Sequence, residues 1–309
     1  EVDNVELRRL VLAGQNMHFE ELPCHEQDLT FHALEEKLEA EHVVKALNGD
    51  VLRTFNLFNF EAGFNNAALI VSDQNTFPGI DVARFGENIN TIADRATFEG
   101  MSAIEQIDGA CTMFERYYSV ETIEGARRTT HYSIPYEAFR EAVANAVAHR
   151  TWDVNAKIRI AMHPNRIEIS SPGGLPAGLG RDEYLRGFIS QLRNPILANV
   201  LFRLNIIEMF GTGIVRIRSS YAEYEQNPEF DVSENAVRVT LPVTDARPAL
   251  TSDEELVYRF VKEEGPTASG QIVANFNFGK DKAVKLLRSL VEKRYVEKTG
   301  TGRGTRYRA

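Results

Sequence analysis

The stretch that decides the fold is Ala156-Lys-Ile-Arg-Ile-Ala-Met-His-Pro-Asn-Arg-Ile-Glu-Ile-Ser170. Apolar and polar residues alternate in it on either side of Pro164-Asn165. This alternation predicts two antiparallel strands joined by a tight turn, with one face of the hairpin buried. A glycine-containing loop, Ser171-Pro-Gly-Gly-Leu-Pro176, follows directly.

The segments around this hairpin supply both helices and further strands. Helical spacing of apolar residues predicts helices at residues 100–118, 135–149, 182–187, 195–204 and 212–226. Strand patterns are found at residues 66–72, 80–86 and 236–243. The mixture predicts an α/β (α+β) fold.

The first part of the chain carries no chemical motif. Residues 4–48 have helical spacing with a break around Glu21-Leu-Pro-Cys24, so residues 1–64 are interpreted as a helical linker or N-terminal segment. Cys24 and Cys111 lack metal-ligand spacing and are expected in the core. The same segment holds a cluster of phenylalanines that is expected in a core or an interface, namely Phe55, Phe58, Phe60 and Phe64.

Length and charge indicate more than one domain. A chain of 309 residues exceeds what one core usually supports, and we expect domains at residues 1–64, 65–245 and 250–309. No apolar run is as long as a membrane span, and the acidic N-terminus lacks the pattern of a signal peptide. These features predict a cytoplasmic protein that does not associate with membranes.

The C-terminal segment predicts three helices and a basic hairpin. The helices are expected at residues 253–263, after Thr267-Ala268-Ser269, and after Gly279. Ser252 is expected to cap the first helix, and Leu256 and Val284 are expected to face inward. Two strands at residues 295–298 and 305–308 complete the pattern of a winged helix-turn-helix.

Charge favours DNA as the partner of this C-terminal segment. The whole chain has a net charge of −9, yet residues 266–309 hold ten basic residues against three acidic ones. A homodimer would match a two-fold symmetric DNA site. The alternative is a winged helix that makes protein contacts while its charges are solvated. The expected DNA contacts lie on the third helix and on the hairpin: Lys280, Lys282, Lys285, Arg288, Lys298, Arg303, Arg306 and Arg308.

Four motifs stand in order in the middle of the chain. They are Glu141-Ala-Val-Ala-Asn-Ala-Val-Ala-His-Arg150, Ile169-Ser-Ser-Pro-Gly-Gly-Leu-Pro176, Arg193-Asn-Pro-Ile-Leu197 and Ile207-Glu-Met-Phe-Gly-Thr-Gly-Ile214. Together they resemble the C-terminal domain of transcriptional regulators often labelled RecG-like ATP-dependent DNA helicases. That domain is a divergent relative of the GHKL ATPases. The resemblance runs from about residue 65 to residue 243.

The resemblance implies a GHKL-like two-layer α/β sandwich that binds ATP with Mg²⁺. By resemblance, Asn145 is the Mg²⁺ ligand and Glu141 positions the attacking water as the catalytic residue. The other residues implied in nucleotide binding are His149, Arg150, Ser171, Gly173, Gly174, Arg193, Asn194, Gly211, Thr212 and Gly213. Such regulators commonly begin with an AlbA/Schlafen-type module, and this chain is expected to start just after it.

The sequence departs from the GHKL pattern at the adenine and lid positions. Ser170 or Ser171 stands where those ATPases have an aspartate, and a hydroxyl is a less selective hydrogen-bond partner. Gly211-Thr-Gly213 lacks a longer glycine run, and no Gly-x-x-x-x-Gly-Lys-Ser/Thr loop is present. Taken singly, each motif also has a purely structural explanation. It can be a set of polar residues on the exposed face of a helix, a turn, or the start of a helix.

Three hypotheses of function follow from these motifs. The favoured one is a DNA-binding transcriptional regulator whose central domain senses a nucleotide or another small ligand. The second is an ATPase in which hydrolysis drives a conformational cycle. The third is a nucleotide-free scaffold that serves structure or dimerisation.

Overall fold

The computed structural model describes residues 4–86, 89–124, 127–176, 178–187, 191–208, 211–244, 250–276, 278–293, 295–300 and 302–309. These residues belong to two compact units, Glu1–Thr244 and Asp245–Ala309. Each unit has its own apolar core.

The first unit contains helices and strands that alternate irregularly along the chain. Its helices are α1 (Asn4–Gly14), α2 (His32–Ala40), α3 (Gly49–Thr54), α4 (Asn66–Val71), α5 (Ala103–Tyr118), α6 (Tyr136–His149), α7 (Arg181–Arg186), α8 (Pro195–Arg203) and α9 (Gly213–Ser219), with a 3₁₀ helix at Phe19–Glu21. Its strands are β1 (Phe58–Asn59), β2 (Gly63–Phe64), β3 (Ile80–Phe85), β4 (Ile92–Phe98), β5 (Ser119–Glu124), β6 (Arg127–Tyr132), β7 (Ile158–His163), β8 (Arg166–Pro172), β9 (Glu229–Val232) and β10 (Ala236–Pro242).

A six-stranded mixed sheet with the order β4-β3-β7-β8-β10-β9 organises the first unit. Strands β3 and β7 are parallel, and the other neighbours are antiparallel. One face of the sheet belongs to the core that also contains α5 and α6. The opposite face carries polar side chains such as Arg159 and Glu168. The expected α/β (α+β) fold is therefore confirmed.

The hairpin predicted from the alternation at residues 156–170 is present as β7 and β8. Arg159 pairs with Ser170, and Ala161 pairs with Glu168. Residues that face the same side of the sheet are therefore opposite each other on the two strands. The isoleucines at positions 158, 160, 167 and 169 are almost fully buried. The period of two in the sequence therefore corresponds to the two faces of the sheet.

Residues 66–71 form the helix α4, and the expectation of a strand at residues 66–72 is wrong. The Asn65 side chain accepts a hydrogen bond from the backbone N–H of Ala68 and so caps α4. All six residues of α4 are buried. A short apolar run that is buried on every side gives no periodicity, which is why the pattern did not distinguish helix from strand.

Residues 18–64 share the core of the sheet. Leu34, Leu38 and Leu57 are fully buried and Phe55 is nearly so, within the same cluster as the inner face of the sheet. Cys24 and Cys111 are free and buried. Leucines that are buried in the core of the sheet are unusual in a linker. The assignment of residues 1–64 as a linker stays a prediction.

The second unit consists of three helices and a two-stranded hairpin. The elements are α10 (Ser252–Glu264), α11 (Ser269–Phe276), α12 (Lys280–Glu292), β11 (Glu297–Thr299) and β12 (Arg306–Arg308), with a 3₁₀ helix at Gly302–Gly304. Val257, Val261, Leu287 and Leu290 lie in its core.

Three details of the second unit differ from the sequence analysis. Thr251, not Ser252, caps α10, because its hydroxyl accepts from the Glu254 N–H while the Glu254 carboxylate accepts from the Thr251 N–H. Leu256 is 47% exposed and Val284 is 42% exposed. In each case the adjacent residue takes the inward position, since one step along a helix turns the side chain by roughly 100°.

Among the described residues, no helix is both long enough and apolar enough to cross a membrane.

A pair of leucine substitutions tests whether residues 18–64 are part of the first unit. Leu38→Ala removes a fully buried side chain and is expected to lower the free energy of unfolding by about 2–5 kcal/mol. Leu10→Ala, at a position 58% exposed, should change it by less than about 0.5 kcal/mol. Urea titration followed by the fluorescence of Trp152, the single tryptophan, measures both. An unchanged transition in Leu38→Ala would support an independent linker.

Candidate functional site

Helix α6 lies at the centre of the first unit, and its C-terminal end depends on side chains from elsewhere. The last four carbonyl groups of an α-helix have no partners within the helix. The Ser171 hydroxyl donates to the carbonyl of Ala146 over 2.8 Å. Asn194 Nδ2 donates to the carbonyls of Ala148 and Arg150 over 2.8 and 2.9 Å.

Arg193 completes this arrangement and extends it to the glycine-containing loop. Its Nε donates to the carbonyl of His149 over 3.1 Å, and its Nη2 donates to the carbonyl of Gly174 over 2.8 Å. Burial lowers the pKa of the Arg193 guanidinium, with Arg9 nearby acting in the same direction. Arg193 and Asn194 therefore cap α6 and attach it to the loop.

A cavity of about 100 Å³ lies between α6, the inner face of the sheet and the segments that precede α9. Seven of the residues implied by the family resemblance line it: Asn145, His149, Ser171, Gly173, Gly174, Gly211 and Gly213. Glu141, Arg150, Thr212, Arg193 and Asn194 do not line it. The structure thus brings about half of these residues to one cavity, and their part in nucleotide binding stays a prediction.

Asn145 and Gly213 line the polar end of the cavity, and the buried Glu141 adjoins them. Asn145 Nδ2 donates to Glu141 Oε1 over 3.0 Å, one helical turn apart on α6. A β-carbon at position 213 would lie 2.5 Å from Asn145 Nδ2 and 2.8 Å from Glu141 Oε1. Glycine is therefore the residue that allows the start of α9 to approach this pair.

Burial gives Glu141 unusual acid–base properties. It raises the pKa of the Glu141 carboxyl, while the hydrogen bond from Asn145 and the charge of Arg216 act in the opposite direction. Arg216 itself pairs with Glu208 over 2.9 Å, and Glu208 lines the cavity. A buried carboxyl group that has a raised pKa and adjoins a cavity is a candidate proton acceptor.

The two glycines of the loop are required by close approaches. Gly173 has φ +97°, and a β-carbon there would lie 1.9 Å from Thr151 Oγ1. At Gly174 a β-carbon would lie 2.3 Å from the carbonyl oxygen of Glu234. The glycines let the loop pass between the end of α6 and the turn before β10.

His149 faces the cavity as a neutral ring. Burial lowers its pKa from 6.5 to about 4, with the neighbouring Arg193 charge contributing. At neutral pH the imidazole therefore offers one donor and one acceptor rather than a positive charge.

Arg150 serves the interior of the fold instead of the cavity. Its side chain is fully buried and donates to the carbonyls of Pro78 and Ala156. The guanidinium also stacks over the Trp152 ring at 4.2 Å. Burial lowers its pKa to about 10, so it stays charged at neutral pH.

Most of the remaining cavity lining is apolar and was not identified from the sequence. The side chains in question are Leu175, Leu179, Tyr184, Leu192, Ile207, Ile214, Ile217, Phe230, Val237 and Val239. Val237 and Val239 alternate with outward residues on β10, which predicted a buried face there but not a position on a cavity. Phe230 lies on β9, a strand that was not predicted from the sequence. The others lie on segments that meet only in the folded chain.

The residues expected to contact DNA lie on α12 and on the hairpin of the second unit. Seven have exposed side chains: Lys280, Lys282, Lys285, Arg288, Lys298, Arg306 and Arg308. Lys282 pairs with Asp253 over 2.7 Å, and Arg288 pairs with Glu292 over 3.0 Å. The side chain of Arg303 lies outside the described residues. Ion pairs this exposed are weak and can exchange for phosphate.

Part of the first unit is similar to a known protein family. Residues 155–241, from β7 to β10, match the family described as "Putative ATP-dependent DNA helicase recG C-terminal". This match indicates an ATPase-like domain and does not include α6. No curated protein matches the chain.

Among solved structures, the chain is similar to the DIP2311 protein from Corynebacterium diphtheriae. The similarity covers 93% of this chain with 19% sequence identity and a TM-score of 0.65. The chain spans 63% of the length of that protein. At this level of identity the likeness concerns the fold alone.

Two glycine substitutions test the contact between α9 and the Glu141–Asn145 pair. Gly213→Ala is expected to lower the free energy of unfolding by about 1–3 kcal/mol, because its methyl group displaces buried polar atoms. Gly49→Ala is the control, since Gly49 is also the first residue of a helix but has nothing within 4 Å of an added β-carbon. Alanine should be neutral or stabilising there. Equal tolerance of both substitutions in urea titration would contradict the close contact.

Proposed function

We propose that this chain is a DNA-binding transcriptional regulator whose first unit binds an adenine nucleotide with Mg²⁺. The observation that carries the nucleotide part is the hydrogen-bonded Glu141–Asn145 pair beneath Gly213 at the end of the cavity. The ATPase-like family match over the adjoining strands supports it. The exposed basic residues of the second unit support the DNA part.

The chemistry of the polar end fits Mg²⁺. Asn145 uses Nδ2 to bind Glu141, and no partner for its Oδ1 is found among the described residues. A carbonyl oxygen is a suitable ligand for this hard cation. The described residues contain no group of three or more His, Cys, Asp or Glu side chains that could hold a metal alone. Mg²⁺ commonly takes its remaining ligands from phosphate and water.

The part of the cavity near Ser171 and His149, where we propose that adenine binds, is less selective for its ligand. The Ser171 hydroxyl donates to the Ala146 carbonyl and keeps capacity to accept one further hydrogen bond. The neutral His149 ring is a second polar group on this cavity. The apolar side chains around them suit the faces of a nucleobase.

The volume of the cavity requires movement on binding. About 100 Å³ holds roughly three water molecules, whereas small-molecule sites usually offer about 300–1,000 Å³. Leu179, Tyr184 and Gly187 line the cavity from residues 178–187, which we call the wall segment. We propose that the wall segment moves away from α6 to admit the nucleotide.

ATP hydrolysis is the second candidate function, and the burial of Glu141 favours it. Burial raises the pKa of this carboxyl, which makes it a better proton acceptor than an exposed glutamate. When bound, Mg²⁺ would neutralise phosphate charge beside Asn145. The role of Glu141 would be to accept a proton from the attacking water.

Calorimetric titration of ATP with Mg²⁺ tests the nucleotide proposal. We expect saturable binding that Asn145→Ala weakens by more than about tenfold, a loss of roughly 1.4 kcal/mol. Asn227→Ala, at an exposed asparagine outside the cavity, is the matched control. Glu141→Gln should keep binding and lose turnover if the chain is an ATPase. Absence of heat at millimolar nucleotide would contradict the proposal and favour a scaffold.

The second unit is proposed to bind DNA as a winged helix. In this arrangement α12 would enter the major groove, and the β11–β12 hairpin would act as the wing. Lys285 and Arg306 represent the two surfaces, since both side chains are exposed. Lys262 is an exposed lysine on α10 of the same unit.

Salt-dependent binding to duplex DNA tests this arrangement. Lys285→Ala and Arg306→Ala should each weaken binding and reduce the magnitude of the negative slope of log K against log salt by about one. Lys262→Ala should have little effect because α10 does not face the groove. Fluorescence anisotropy over a range of salt concentrations measures the slope. Equal effects of all three substitutions would contradict the assigned surfaces.

A further inference from the structure

A second cavity of about 600 Å³ lies in the first unit, apart from the one described above. It is bounded by the end of the 3₁₀ helix, the β1–β2 hairpin and the start of α8. Its lining comprises Glu21, Pro23, Asn56, Phe58, Asn59, Ala62, Gly63, Phe64, Asn65, Pro195, Ile196 and Asn199. None of these residues lines the first cavity. We call it the asparagine cavity.

The hairpin side of the asparagine cavity is held by hydrogen bonds. The Cys24 N–H donates to the Phe64 carbonyl over 3.0 Å, and the Phe64 N–H donates to Gln27 Oε1 over 2.8 Å. Asn65 is fixed at both ends, since Nδ2 donates to the Asn56 carbonyl and Oδ1 accepts from the Ala68 N–H. This wall is therefore in place before any ligand arrives.

The opposite side is fixed by a buried carboxylate. Glu20 is fully buried, and it accepts hydrogen bonds from the N–H groups of Ile196 and Leu197 over 2.6 and 2.9 Å. These bonds hold the start of α8, which presents Ile196 and Asn199 to the cavity. A site that is preformed loses less conformational entropy on binding.

The lining combines primary amides with aromatic and proline rings. No hydrogen-bond partner for the side chains of Asn56 and Asn199 is found among the described residues, and Asn59 uses only its Oδ1, toward the Glu61 N–H. A primary amide both donates and accepts, as a hydroxyl group does. Phe58 and Phe64 offer flat apolar surfaces beside these amides.

The charge of the lining disfavours anionic ligands. The lining holds one carboxylate, Glu21, and no lysine, arginine or histidine occurs among its described residues. A phosphate-bearing or carboxylate-bearing ligand would find no countercharge there. A purely apolar ligand would leave the amides without partners. The volume lies within the usual range of small-molecule sites.

We infer that the asparagine cavity binds an uncharged ring compound that bears hydroxyl groups, as a free sugar or the ribose of a nucleoside does. The hydroxyl groups bind the amides of Asn56, Asn59 and Asn199. The ring lies against Phe58 and Phe64. This inference does not depend on nucleotide binding at the first cavity.

Saturation-transfer NMR on the full chain tests the inference, with ribose, glucose and adenosine as probes. We expect transfer to at least one probe and a dissociation constant about two- to tenfold weaker in Asn199→Ala and in Asn59→Ala. The control Asn227→Ala should bind as the unchanged chain does. Adenosine binding without ribose or glucose binding would assign a nucleoside, and the reverse would assign a free sugar.

Three outcomes would overturn the inference. One is the absence of transfer to all three probes. Another is binding that survives both asparagine substitutions or that Asn145→Ala abolishes, which would place the probe in the first cavity. The third is displacement of the bound probe by added inorganic phosphate. Each of these leaves the calorimetric result for ATP at the first cavity unaffected, so the two proposals can fail separately.

Discussion

The carbonyl groups at the end of α6 have no hydrogen-bond partners within the helix, and the first unit depends on this constraint. Leaving such a buried group without a partner costs about 1–3 kcal/mol. Ser171 from β8 and the Arg193-Asn194 pair before α8 supply the partners. Because these donors come from separate segments, satisfying one helix end fixes the sheet, the glycine-containing loop and α8 around it. The first cavity is the space that these fixed segments enclose.

Sequence patterns predicted the fold well where burial is one-sided. The alternation in β7 and β8 and the helical spacing of α5 and α6 correspond to faces that meet one core. They failed where burial is complete, as in α4, because an all-apolar run has no period. In the second unit the pattern located the helices but misassigned Leu256 and Val284 by one residue.

Some of the expected site residues lie together, while the contacts of others differ from what was expected. The family resemblance assigned Asn145, Ser171 and Gly213 to nucleotide binding, and all three line the first cavity. Arg193 and Asn194 were expected near a nucleotide, yet their side-chain donors bind backbone carbonyls. Sequence cannot distinguish these uses, since a polar side chain beside a glycine loop can bind either a ligand or a helix end. The size of the cavity also depends on contacts between distant segments.

The central claim is that a nucleotide with Mg²⁺ enters between α6 and the wall segment. Hydrogen–deuterium exchange of the full chain, with and without ATP and Mg²⁺, tests it most directly. We expect a change in amide exchange in residues 178–187 and at the start of α9, and no change when Asn145 is replaced by alanine. Exchange that is altered only in the second unit, or altered equally in Asn145→Ala, would contradict it.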